Sequence, residues 1–266
     1  MTTPTKHWNF GHTVGIFATL IAVPLFSWLF IWGAHPLLAW FSSFIFIWAF
    51  LIIAGHGIIG LWRGMAIDER NVISLSRTQM AIWTVIVLSA YLTGALWNVH
   101  VGAENPLAIR IPMEVWGLLG ISTVSLVGTP LILSPKKDKE PTPRELKKAA
   151  AQLEKEGITH KTYDRTGAVY RNANPSDAEW ADIVTGDEVG DAAHLDLSKV
   201  QMLFFTVIIA FAYCVAIGYS LIEPGAAGMD HLPEFSTSLL ALLGISHGGY
   251  LTSKSIPHTV TDQTHK

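Results

Sequence analysis

Between Lys6 and Arg63 the chain runs 56 residues without an Asp, Glu, Lys or Arg. A soluble domain carries roughly a quarter charged residues, spread over its surface, so this stretch is poorly suited to water on any face. Four more charge-free runs follow, at 78–103, 115–135, 200–222 and 235–253. About 20 apolar residues in a helix cross a bilayer core, and lipid admits only backbone that satisfies its own hydrogen bonds. Each later run is long enough for one span. The first holds two, with "GAHP" at 33–36 as a tight turn between them. The sequence therefore predicts an all-α integral membrane protein with six transmembrane helices, near 13–32, 37–61, 78–97, 113–133, 199–221 and 236–253. A cleavable signal peptide is not expected, because the apolar stretch is too long and leads straight into a second span.

Lys and Arg set the expected orientation. With both termini cytoplasmic, the inner segments hold 17 of the 18 basic residues and the outer loops only Arg110. This is the positive-inside pattern, as in a bacterial inner membrane. Trp28, Trp32, Trp40, Trp97 and Trp116 then fall near the outer surface, and Trp8 and Trp62 near the inner one, where aromatic belts lie.

The chain repeats itself. "LSRTQMAIWTVIVLSAY" at 75–91 and "LSKVQMLFFTVIIAFAY" at 197–213 share nine of 17 residues, and "LLGIS" recurs at 118–122 and 242–246. Each copy contains two spans, so both enter the membrane from the same side, a parallel repeat. The expected organisation is an N-terminal helix pair (1–62), repeat 1 (63–134), a cytoplasmic loop region (135–195), repeat 2 (196–256) and a tail (257–266).

The recurring residues suggest roles. Ser76 with Gln79, and Ser198 with Gln201, have capping-box spacing. Thr84 and Tyr91, matched by Thr206 and Tyr213, lie on one helix face, where hydroxyls bond to a neighbouring helix or line a wet path. Gly117, Gly120, Gly244 and Gly248 allow close helix approach, within one chain or between subunits.

In the loop, "TPRELKKAAAQLEKEG" at 142–157 predicts a helix capped by Thr142 and stopped at Gly157. A hairpin is expected around "DRTG" within 158–172, and a short helix within 176–186. Residues 136–171 hold ten basic and six acidic residues; 172–198 hold seven acidic residues and no Lys or Arg. One reading pairs the two halves. The other sets the basic half near anionic lipid and docks a soluble partner on the acidic half through Trp180, Ile183, Asp187 and Glu188.

No catalytic or metal motif emerges. The eleven His residues lack ligand spacing, and the single cysteine, Cys214, lies in a span. His56 and His247 are candidates as functional intramembrane groups. "GDEVGD" at 186–191 lacks the Lys and the preceding strand of a phosphate loop and reads as a turn. The expectation is a non-enzymatic anchor or scaffold with no cofactor or metal. Its partners would be the bilayer and a cytoplasmic protein, not nucleic acid. The alternative is a homo-oligomeric pore lined by the Thr and Tyr hydroxyls.

Overall fold

The computed structural model describes residues 7–155, 163–222 and 228–262. Gly157, the expected helix stop, lies outside the described residues, as do Lys6, His160, Glu223 and His265.

The described chain is mainly helical: α1 Phe10–Trp32, α2 Pro36–Ile59, α3 Leu75–His100, α4 Met113–Leu133, α5 Pro143–Lys155, α6 Leu197–Ile222 and α7 Thr237–Ser255. Five of these (α1 to α4, and α6) are long and apolar enough to cross a membrane, which makes the protein an integral, multi-pass one. The expected sixth span exists as α7, but it is not among the five. Its 19 residues include three Gly, His247 and Lys254, together with several Ser and Thr, which dilute its apolar character.

Packing divides the chain into two compact units. The first comprises Met1–Met65, Gln79–Gly120 and Thr206–Leu240. In it α1 and α2 form an antiparallel pair that approaches closely at small residues; a Cβ on Gly15 of α1 would lie 3.2 Å from Ile53 of α2, and one on Gly57 2.5 Å from the ring of Trp8, just before α1. Trp40 donates its indole N–H to Ser89 on α3 at 3.0 Å. Trp83, Tyr213 and Phe235 form an aromatic cluster, with the Tyr213 and Phe235 rings stacked at 4.4 Å. The two hairpin connections pair through backbone: Arg110 N–H donates to Asp230 O, and Leu232 N–H to Arg110 O. Buried Asn98 fastens the same region. Its amide donates to Pro106 O at 3.1 Å and Met229 O at 2.8 Å, and its carbonyl accepts from Met229 N–H at 2.6 Å.

The second unit comprises Ala66–Thr78, Ile121–Phe205 and Ala241–Lys266. Helix α5 forms where expected, with the Thr142 hydroxyl accepting from Glu145 N–H. It buries Ala149 and Leu153, and Leu153 joins Val72, Tyr170 and Ala192 in a small core. The hairpin is β1 Tyr163–Thr166 paired antiparallel with β2 Val169–Asn172. Its turn is later than expected, at Gly167, whose φ of +57 suits glycine and whose added Cβ would meet Lys137 O at 2.1 Å. The short helix expected in 176–186 is instead two 3-10 turns, Pro175–Asp177 and Trp180–Ile183. The Asp177 and Asp182 carboxylates turn back and accept from the N–H groups of Asn174 and Glu179, which caps the start of each turn.

Asn98→Ala would orphan three backbone groups, at about 1–3 kcal/mol for each one left buried. Thermal unfolding in detergent is expected to shift to a clearly lower midpoint for Asn98→Ala and to stay unchanged for the exposed Glu104→Ala.

Candidate functional site

The most concentrated polar chemistry lies within the second unit, on the "GDEVGD" turn. A bridge between Thr185 and Leu195 pinches off residues 186–194, and the Val169–Glu188 bridge holds this loop against the hairpin. The Asp187 and Glu188 side chains are thereby turned inward, and both are buried. Ionised carboxylates are buried only when paired, and here the partners come from four distant stretches of sequence.

Asp187 is the hub. Its Oδ1 accepts from Arg70 Nη1 at 2.8 Å and from Lys199 Nζ at 3.1 Å, and its Oδ2 accepts from Lys254. Arg70 is also held by Asp68 at 2.9 Å. Glu188 pairs with Lys136 at 2.6 Å, and its other oxygen accepts from His258 N–H at 3.1 Å and Thr259 N–H at 3.0 Å. The Lys136 ammonium also donates to Lys254 O and to Ile256 O, at the C-terminal end of α7. A cation there meets carbonyls left unpaired by the helix and the negative end of its dipole. The cluster thus ties the turn to the segment before α3, the first turn of α6 and the last turn of α7.

Two further carboxyls surround it. Burial raises Asp191 and Asp182 above the ordinary carboxylate range, although backbone N–H groups oppose the shift in both. Each opposes folding above its raised pKa, and that penalty fades as the pH falls from the raised value to the ordinary carboxylate one.

From the cluster, a polar column follows one face of α7. Lys254 lies over the Tyr250 ring at 4.7 Å. The Tyr250 hydroxyl meets Thr129 at 3.2 Å and Ser76 at 3.5 Å, and His247 Nδ1 lies 2.6 Å from Ser125 Oγ. Residues 247, 250 and 254 share a face of α7, as 125 and 129 do of α4.

The structure relocates several residues singled out in the sequence. Ser76 and Ser198 are not the helix caps. Helices α3 and α6 begin two residues earlier than the capping spacing implies. The caps are Ser74, whose hydroxyl accepts from Arg77 N–H, and Asp196, whose Oδ1 accepts from Ser198 and Lys199 N–H. Gln79 is buried and donates to the Thr206 hydroxyl, while Gln201 is exposed. Tyr91 donates to Leu107 O at 3.0 Å, Tyr213 is buried against Phe235, and Thr84 is half-buried. Gly117 lies under Leu240 and Gly244 lies near Ile121, whereas Gly120 and Gly248 face open space. Of the expected docking set only Trp180 is exposed; Ile183, Asp187 and Glu188 are buried. Those three cannot form an outer docking surface, because Asp187 and Glu188 neutralise internal cations.

His56 belongs to the first unit, on the last turn of α2. Its Nδ1 lies 2.7 Å from His12 Nε2, and its ring lies 4.5 Å from that of Trp62. His12 Nδ1 accepts from Asn9 N–H, which leaves the His12 proton on Nε2 to be donated to His56. The pair closes the N-terminal cap of α1, which is a structural task. Among the described residues no group of three or more His, Cys, Asp or Glu is placed to hold a metal ion.

Sequence reasoning missed Arg70, Lys136, Lys199 and Lys254 as site residues. The available signal was that seven acids within 172–198 lack any Lys or Arg among them, so buried members had to find cations elsewhere.

Removing one partner of a buried ion pair destabilises by about 3–5 kcal/mol. Asp187→Ala, which leaves three cations facing one another, should therefore make the 134–196 segment sensitive to limited proteolysis and lower the unfolding midpoint. Lys137→Ala breaks only the exposed 3.8 Å pair with Glu69 and should change either readout by less than about 1 kcal/mol.

The chain matches no protein-family model, no curated protein and no solved structure at a significant level.

Proposed function

We propose that this protein is a non-catalytic membrane anchor that holds the 134–196 segment rigid on the cytoplasmic side and presents it to a soluble partner. The observation that carries this reading is the Asp187–Glu188 cluster. It fastens the segment at three points, to Arg70 before α3, Lys199 in the first turn of α6 and Lys254 in the last turn of α7, which supports a segment built onto the helices over a tethered module. The cluster of Leu153, Tyr170 and Ala192 packs on Val72, from the stretch before α3, a further tie between the segment and the rest of its unit.

The docking surface in this reading is α5. Its inner face is occupied by Ala149 and Leu153, and Arg144, Lys147 and Lys148 project outward. Residues three and four apart share a helix face, so the three cations form one basic patch that suits an acidic partner. The pore alternative has less support. Thr206, Tyr91 and Tyr213 are engaged in contacts within one chain, which leaves them poorly placed to line a wet path.

The test is photo-crosslinking from position 151, beside the patch, in intact cells. A defined soluble protein should be captured, and Arg144→Glu combined with Lys147→Glu and Lys148→Glu should abolish capture while membrane insertion is unchanged. Capture that persists in the triple variant would refute α5 as the docking face. A single-channel conductance of the purified protein in planar bilayers, altered by Thr206→Val, would replace the anchor reading with the pore.

A further inference from the structure

The approaches to α3 and α6 are built alike beyond the limits of the sequence repeat. Each begins at a Trp followed by 3-10 structure: Trp62 before Gly64–Ala66, and Trp180 within Trp180–Ile183. Five residues after each Trp an isolated bridge forms, Ile67 with Ile73 and Thr185 with Leu195. The N–H of each helix cap, Ser74 or Asp196, then donates at 2.8 Å to the carbonyl four residues after the Trp, on Ala66 or Val184. The matched basic residue, Arg77 or Lys199, donates to the carbonyl of the first bridge residue, Ile67 or Thr185. The copies differ in loop length. Residues 68–72 separate the first bridge pair and residues 186–194 the second, and the longer loop carries Asp187 and Glu188.

This correspondence makes a contrast visible. Leu195 and Leu197 occupy the positions of Ile73 and Leu75. In the first copy the pair is covered by protein, at 1% and 3% exposure; in the second, Leu195 is 60% and Leu197 72% exposed. Trp180 is 64% exposed, close to the 68% of Trp62. Lys199 fixes the Trp180 turn to the base of α6 by donating to Asp182 O and Thr185 O, so the turn is held at the first turn of that helix.

The exposed apolar residues on α6 identify what covers this patch. Leu197, Phe204, Ile208, Phe211, Val215, Tyr219 and Ile222 are all exposed, and their steps of seven, four, three, four, four and three place them on one face. That face belongs to a helix long and apolar enough to cross a membrane, so its cover is lipid. Leu197 is its first member, and Gln201 is the polar residue one turn in. Trp is the side chain that favours the level where headgroups meet acyl chains.

We propose that Trp180, Leu195 and Leu197 form a bilayer-seated foot that continues the lipid face of α6 into the headgroup region, with phospholipid taking the place that protein fills over Ile73 and Leu75. The foot does not depend on the α5 docking surface and stands if that surface fails. It removes Trp180 from the soluble partner's reach. Exposed Glu179 and His194 flank it and mark its watery edge.

The single native cysteine makes the test direct. In a Cys214→Ser background, Trp180→Cys, Leu197→Cys, Trp62→Cys and Lys148→Cys are each labelled with an environment-sensitive fluorophore. Each full-length protein is placed in vesicles of phosphatidylethanolamine and phosphatidylglycerol containing no other protein. Labels at 180 and 197 should emit at blue-shifted wavelengths, like the label at 62, three residues past α2. Lipids with a spin label near the headgroup should quench them severalfold more than aqueous iodide does, and the label at 148 should behave the opposite way. Iodide quenching at 180 and 197 equal to that at 148 overturns the proposal. So does a label shielded from iodide yet not reached by the spin-labelled lipid, which would assign the patch to a second copy of the chain.

Discussion

One carboxylate, that of Asp187, pairs with three basic side chains in a buried setting. Arg70, Lys199 and Lys254 come from the segment before α3, the first turn of α6 and the last turn of α7. None of the four could be buried alone, because an unpaired charge in the interior is far more costly than an unpaired polar group. The arrangement is therefore all or nothing: the turn closes only when its partners are in place. Glu188 adds a second tie through Lys136 and the backbone of His258 and Thr259. Ion pairs of this kind add little net stability compared with apolar packing, but they penalise every arrangement that leaves a partner unmatched. That selectivity suits a segment whose buried residues are mostly small, such as Ala149, Ala168, Ala178 and Ala192.

The same polar economy extends along α7. Lys254, Tyr250 and His247 each find a partner on another stretch of the second unit. This explains why α7, alone among the expected spans, lacks the apolarity of the other five. Ser246, His247, Tyr250 and Lys254 are buried against protein, and the composition that weakens α7 as a lipid-facing helix fits it to that face. Helix α6 is the opposite case. Its outward stripe is almost wholly apolar, and its side-chain hydrogen bonds include those of the first turn, of Thr206 and of Ser220, which donates to Ile217 O.

Much of this was legible in the sequence, for a simple reason. Charge-free runs near 20 residues have few environments open to them, so α1 to α4 and α6 fall within a few residues of their expected limits. Helix α5 was legible because Thr142 and Pro143 are local signals that need no tertiary help. The caps of α3 and α6 were misplaced by two residues. Ser76 and Ser198 are identical in the two copies, whereas the caps, Ser74 and Asp196, differ chemically, so residue identity between the copies does not mark them. The shared approaches to the two helices were hidden too, since bridges and carbonyl contacts are backbone features that leave little trace in side-chain identity beyond a Trp.

The sequence by itself determined that this is a multi-pass helical membrane protein and where most of its helices run, because local apolarity and period alone select a helix in lipid. Only the tertiary structure decided which charged residues are inside. Asp187 and Glu188 look like surface acids in a turn, and burial depends on partners as far as 117 residues away, as Arg70 is from Asp187. Pairing at that separation follows from how the chain packs, and no window along the sequence contains both partners.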